Sequence, residues 1–202
     1  MSAIIDPCMS CGARCCNRFA VCVTGFDVLR LVEGAGKPAS DFVCCHEASL
    51  VSYRHDPVFF LFNEKGGMTE FLLTLKRKKT NYCGFSKHSK GCAIYAHRPL
   101  VCRSYPFVFD QEKGIKYVEG PVCWRLWREE EIDKKYFEEI FEKHAKELFE
   151  YGKIARRWNA ERARKGGKFE DYLAFVIEET HRVSERLARE SKLIEESKQV
   201  KF

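Results

Sequence analysis

The sequence predicts an α+β chain: a small cysteine-rich, metal-stabilised domain with short β-hairpins over residues 1–124, followed by a long antiparallel helical pair over residues 125–202 that packs on it. Three observations carry this reading. All 11 cysteines lie at or before Cys123. Two apolar runs upstream of that point are each followed by a glycine-containing loop and a second apolar run, as hairpins are. Downstream of it the apolar residues recur at three and four, the period of a helix with one buried face. A chain of 202 residues is long enough to bury a substantial core around such elements.

The first element is the run Cys8-Met-Ser-Cys11-Gly-Ala-Arg-Cys15-Cys16, four cysteines within nine residues. So dense a cluster leaves too few other residues for ordinary packing, so its thiols point to a shared metal. Cys8 and Cys11 have the spacing with which a tight turn aims two thiolates at one ion, and Gly12 can take the positive φ that such a turn requires. Cys15 and Cys16 are adjacent, and neighbouring side chains usually diverge: either they serve different sites, or one is a ligand and the other is packed.

Next, Thr24 and Asp27 predict the N-terminal cap of a short helix through Leu31 or Val32, closed by Gly34 and Gly36 before Pro38. Because these glycines end a helix instead of joining a strand to one, they do not form a dinucleotide loop. Ser40-Asp41 reads as the start of another helix. Val58–Phe62 and Thr69–Leu75 predict a hairpin around the loop Asn63–Gly67, and Phe107–Phe109 with Ile115–Val118 a second around Asp110–Gly114. From Glu129, Ile132, Tyr136, Phe137, Ile140, Phe141, His144, Leu148 and Tyr151 mark a long helix to about Arg164, stopped at Gly166-Gly167. Phe169, Tyr172, Leu173, Val176, Ile177, Val183 and Leu187 mark its antiparallel partner, fraying after about Ser191.

Between the hairpins the chain runs from Cys83 through Cys92, Ile94-Tyr95, Arg98-Pro99 and Cys102-Arg103 to Pro106-Phe107, with Cys123 later. With the first run this gives eight cysteines in two remote groups, Cys8, Cys11, Cys15, Cys16, Cys83, Cys92, Cys102 and Cys123, expected to converge as metal ligands. They suffice for two tetrahedral sulfur sites, or for one site and a redox pair. Soft thiolates suit zinc and a [4Fe–4S] cluster alike. No cysteine precedes a proline, so the bacterial ferredoxin run is missing. Arg18 stands where the third cysteine of the radical-enzyme run would be. A cluster needs a larger, mostly apolar cavity, which Phe85, Tyr95, Tyr105, Phe107 and Trp124 can line, and the number of thiols favours iron–sulfur over a single zinc.

This arrangement resembles the YkgJ-type CxxCxxCC family, described as zinc- or iron-chelating, over roughly residues 5–124; here three residues separate Cys11 and Cys15 where the family name has two. It is also similar to flagellin lysine N-methylases, which share the cysteine pattern and are associated with an iron–sulfur cluster. The resemblance implies a metal-binding cysteine cluster protein. Its alternatives are an iron–sulfur-dependent protein lysine N-methyltransferase using S-adenosylmethionine, or a metal-handling or redox-sensing protein, the last also suggested by the vicinal thiols.

Several residues carry two readings. Arg98 and Arg103 flank the ligand loop and either offset thiolate charge or bind an anionic cofactor such as the S-adenosylmethionine carboxylate. His88 and His97 read as solvated or second-shell imidazoles before ligands. Cys22, Cys44 and Cys45 read as small packed hydrophobes, with Cys44-Cys45-His46 as an accessory site the alternative. Lys76–Lys79 reads as a solvated hairpin end before a nucleic-acid patch. The net charge of +6 counts cysteine as neutral, and four thiolates around one divalent ion carry about −2, so the basic balance does not argue for nucleic acid. The odd cysteine count, the vicinal pairs and the lack of an apolar leader after Met1 predict a reduced, cytoplasmic chain with no membrane span. No catalytic group, protein partner or substrate is legible.

Overall fold

The computed structural model describes residues 14–51, 57–62, 67–87, 91–118, 122–123, 127–161 and 167–199. Cys8, Cys11, Gly12, His88, Trp124, Gly166 and residues 63–66 of the first hairpin loop lie outside the described residues.

Helices and short antiparallel strands are both present, as an α+β chain requires. In chain order the described elements are α1 (Arg14–Arg18), α2 (Gly25–Ala35), β1 (Val43–Glu47), β2 (Phe59–Phe62), β3 (Met68–Leu75), α3 (Leu100–Ser104), β4 (Phe107–Asp110), β5 (Gly114–Tyr117), α4 (Lys134–Glu161) and α5 (Phe169–Gln199). No described helix is long and apolar enough to cross a membrane.

The cap of α2 forms as the sequence predicts. Thr24 Oγ1 accepts from the Asp27 backbone N–H, and the Asp27 carboxylate accepts in return from the Thr24 N–H, satisfying two helix-end donors. Gly36 ends the helix in the left-handed conformation, φ 59°, its N–H bonded to Val32 O. The helix expected from Ser40 is instead a single 3₁₀ turn, Ala39–Asp41, running into β1. The physical reason lies in β3, whose residues Leu72–Leu75 are all buried, so both of its faces are covered and it takes the centre of the sheet. The three-stranded sheet has the order β1-β3-β2, with Cys44 opposite Thr74 and Phe59 opposite Phe71. Residues 21–23 extend the β2 side, Val23 N–H bonding Leu73 O and Leu75 N–H bonding Val21 O.

The second hairpin, β4–β5, pairs Phe107 with Tyr117. The long helices pack antiparallel: Arg157 of α4 pairs with Glu179 of α5, while Glu150, two turns earlier on α4, pairs with Arg186, further along α5. Glu129–Glu131 forms a 3₁₀ turn and α4 itself starts at Lys134. α5 outruns its expected end because its exposed last turns carry the i,i+4 pairs Arg186–Glu190 and Lys192–Glu196.

The helical pair shares one core with the sheet. Phe59 stacks on Tyr172 with ring centroids 3.6 Å apart, and the Tyr172 hydroxyl bonds that of Tyr151 at 2.8 Å in the interior. Trp158 Nε1 donates to Phe60 O, and the Asn159 amide both accepts from Phe60 N–H and donates to Val58 O. Asn159 thus satisfies backbone groups of β2 as a further strand would. At the other contact, α2 lies so close to α5 that a Cβ on Gly25 would stand 2.1 Å from Thr180 Oγ1 and 3.2 Å from Val176 Cγ2. Gly25→Ala is expected to force the two helices apart at a cost of about 1–3 kcal/mol, read as a lowered urea midpoint at unchanged slope.

Candidate metal centre

The described parts of the two cysteine groups meet at one backbone bond. α1, which carries Cys15 and Cys16, has no buried residue and only five positions, too few to hold a helix by itself. It is fastened from outside. Cys83 N–H donates to Cys16 O at 2.8 Å, and the Arg77 guanidinium bonds the carbonyls of both Asn17 and Asn81, clasping α1 to the turn before Cys83. That turn places Asn81 at φ 67° and pairs Arg77 with Cys83, and the next pairs Ser86 with Cys92 around Gly91 at φ 77°. Lys76 and Lys78 also bond carbonyls, of Ser40 and Ser86. Three of the four residues in the basic run therefore hold local structure.

Cys102 comes from α3, whose first N–H, on Leu100, donates to Asp27 Oδ1 at 3.0 Å. The loop ahead of it is tied by Arg103, which bonds the carbonyls of Arg98 and Ala96. Arg98 lies over the Tyr95 ring, 3.8 Å from its centroid, and donates to Tyr95 O. These contacts use both arginines within the loop. His97 packs against α2, where a Cβ on Gly34 would meet its ring at 2.2 Å. Of the aromatic residues expected to line a cavity, Phe85 packs on Phe42 and Phe107 on Trp127 and Phe137, while Tyr105 meets Phe19 edge-on.

The thiols act on one another electrically. The hydrogen bond between Cys15 and Cys16 brings the Cys15 thiol down to about 7 and, from the other side, holds Cys16 up. Burial pushes Cys83 and Cys92 up, and Cys102 well up, with neighbouring thiols adding to each; Cys15 contributes at all three, and Cys16 in turn feels Cys83 and Cys102. Arg98 works in the opposite sense at Cys15, Cys92 and Cys102. Cys123 joins through Tyr105, whose hydroxyl rises to about 12 chiefly by burial and then by Cys123 and Cys15. Cys15, Cys16, Cys83, Cys92 and Cys102 thus act on one another, and Cys123 and Cys15 both act on Tyr105. Cys22, Cys44 and Cys45 stand apart on the sheet, Cys45 packed against the core.

This donor set suits a thiophilic cation. Buried thiols crowded together resist ionising one by one, and a metal ion reverses that by binding them as thiolates. The Tyr95 hydroxyl is buried without a hydrogen-bond partner among the described residues, in the loop between Cys92 and Cys102. Among the described residues, no group of three or more cysteine, histidine or acidic side chains is placed so that it could hold a metal ion.

The chain belongs to the CxxCxxCC family: the sequence model of that family, a "Putative zinc- or iron-chelating domain", matches residues 7–136, from just before Cys8 into α4. No curated protein and no solved structure matches the chain. The expected similarity to flagellin lysine methylases is therefore not among the matches found.

Proposed function

We propose that the chain binds zinc or an iron–sulfur cluster at the meeting point of its two cysteine groups, with Cys8, Cys11, Cys15, Cys16, Cys83, Cys92, Cys102 and Cys123 as the ligand set. The observation that carries this is the Cys83 N–H to Cys16 O bond, which joins segments 67 positions apart in sequence, and the mutual effects of the Cys15, Cys16, Cys83, Cys92 and Cys102 thiols support it. Eight thiols exceed the four that one tetrahedral zinc or one iron–sulfur cluster takes, which favours a pair of centres. The bound metal supplies cross-links that stand in for a hydrophobic interior. Arg98 offsets thiolate charge, and Arg103 fixes the loop that presents Cys92 and Cys102. Neither arginine offers an observation that favours S-adenosylmethionine or lysine methylation.

Anaerobic purification followed by metal analysis and a visible spectrum tests the reading. Bound iron with broad charge-transfer absorbance identifies a cluster, and colourless protein with bound zinc the other form. Cys102→Ala is expected to lower the metal content in either case; a metal-free wild-type chain purified without chelators would overturn the proposal.

A further inference from the structure

The sheet face that carries Cys44 holds a second group of metal-binding atoms that the family motif does not use. Cys44 and His46 are two apart on β1, so both side chains stand on the same face, and Thr74 of β3 is the register partner of Cys44 on that face. Cys44 Sγ lies 3.8 Å from His46 Nδ1 and 3.4 Å from Thr74 Oγ1, and Thr74 Oγ1 lies 2.6 Å from His46 Nδ1. Cys22 bridges Thr74 from the opposite side, which puts a further thiol on this face.

We propose that Cys44 and His46 form an open binding site for a zinc-like divalent ion, with Thr74 as the outer partner that orients them. The distance decides in favour of this pair. Two ligands of one tetrahedral zinc, sulfur at about 2.3 Å and nitrogen at about 2.0–2.1 Å, stand about 3.6 Å from each other, close to the spacing here. The Thr74 hydroxyl is fully buried and lies beside both Nδ1 and the Cys44 sulfur, so before an ion binds it holds ring and thiol side by side. Binding displaces the Cys44 thiol proton to solvent and the Thr74 bond from Nδ1; the hydroxyl then turns to donate to the thiolate it already neighbours. Cys44 and His46 are half-buried on an edge strand, and two protein ligands leave coordination positions free, which suits an ion that is taken up and passed on more than one locked in place. Cys45 has no part in it: it faces the core, and burial together with Cys44 pushes its thiol up to about 11.

None of these residues belongs to the eight-cysteine set, so the two sites fail separately. The test is titration of the full chain with Zn²⁺ against a chromophoric chelator. The wild type is expected to take up one equivalent that Cys44→Ser and His46→Gln both lose and that Cys45→Ser keeps, with affinity falling on the order of 10-fold in Thr74→Val. Equal uptake by the wild type, Cys44→Ser and His46→Gln overturns the proposal. A second reading needs no substitution: in the wild-type chain, Zn²⁺ is expected to protect Cys44 from alkylation by iodoacetamide, mapped by peptide mass spectrometry. Alkylation of Cys44 at an unchanged rate also overturns it, and either result stands whether or not the eight-cysteine set holds metal.

Discussion

Stripping the metal with a strong chelator under reducing conditions is expected to melt α1 and release the segment from Cys83 to Tyr105, removing on the order of 10 kcal/mol of folding free energy per structural site. α1 has no fully buried residue, and its described attachments are the Cys83–Cys16 backbone bond, the Arg77 clasp and the contact of Cys16 with the core. One partly buried thiol is a small hydrophobic face, and a five-residue helix does not persist alone. Among the described residues, the loop from Cys83 to Ser104 contributes Cys83, Ile94 and Leu100 to the buried apolar set. By contrast Phe59, Tyr151, Trp158 and Tyr172 pack together without a cysteine among them, so β2, α4 and α5 retain the larger share of their own burial. Hydrogen exchange read by mass spectrometry should therefore show protection lost first and most completely at residues 14–18 and 83–105, and later in the helical pair. Unchanged protection in those two segments after complete metal removal would show that something other than coordination holds them.

How much of this was legible in the sequence follows from how each element is stabilised. α2 was readable because Thr24 and Asp27 are a local device that works wherever the chain lies, and both hairpins and the helical pair announce themselves by period. α1 and β1 were not. α1 has no apolar face, so no period exists to be read. β1 is Val-Cys-Cys-His-Glu, a poor strand by composition, and it exists because β3 needs a partner on its second edge; the continuous run Leu72-Leu73-Thr74-Leu75 was the available signal. The convergence of the cysteine groups was legible as an expectation from shared chemistry. The clasp that achieves it was not: Arg77 sat in what reads as a solvated basic run, yet its guanidinium bonds the backbone on both sides of the junction. The pairing of Cys44 with Thr74 and His46 was out of reach for the same reason, since the register that creates it belongs to a strand the composition does not suggest.

Asp27→Ala is expected to cost about 3–5 kcal/mol, because it strips a buried charge from four donors at once. The carboxylate is almost fully buried. One oxygen accepts from the Thr24 N–H and hydroxyl, the other from Leu100 N–H and, at 2.5 Å, from Arg30. Arg30 in turn bonds Glu147 of α4 through both terminal nitrogens, at 2.6 and 2.7 Å. One side chain thereby caps α2, anchors the first turn of α3 and completes the bridge from the cysteine-bearing half to the helical pair. Alanine leaves the Leu100 N–H unpaired in the interior and Arg30 with Glu147 alone, so the α3 turn that carries Cys102 loses its anchor. Asp27→Asn keeps the shape and one acceptor but turns an amide toward donors, so it should fall between the wild type and alanine, by about 1–3 kcal/mol. Urea unfolding measures the cost, and metal content measured on the same samples separates two causes. If Asp27 acts by placing Cys102, metal retention drops in both variants in step with stability. A loss below about 1 kcal/mol for Asp27→Ala, with metal retained, would mean that α3 is held by the cysteine centre alone and that the buried carboxylate network is not what positions it.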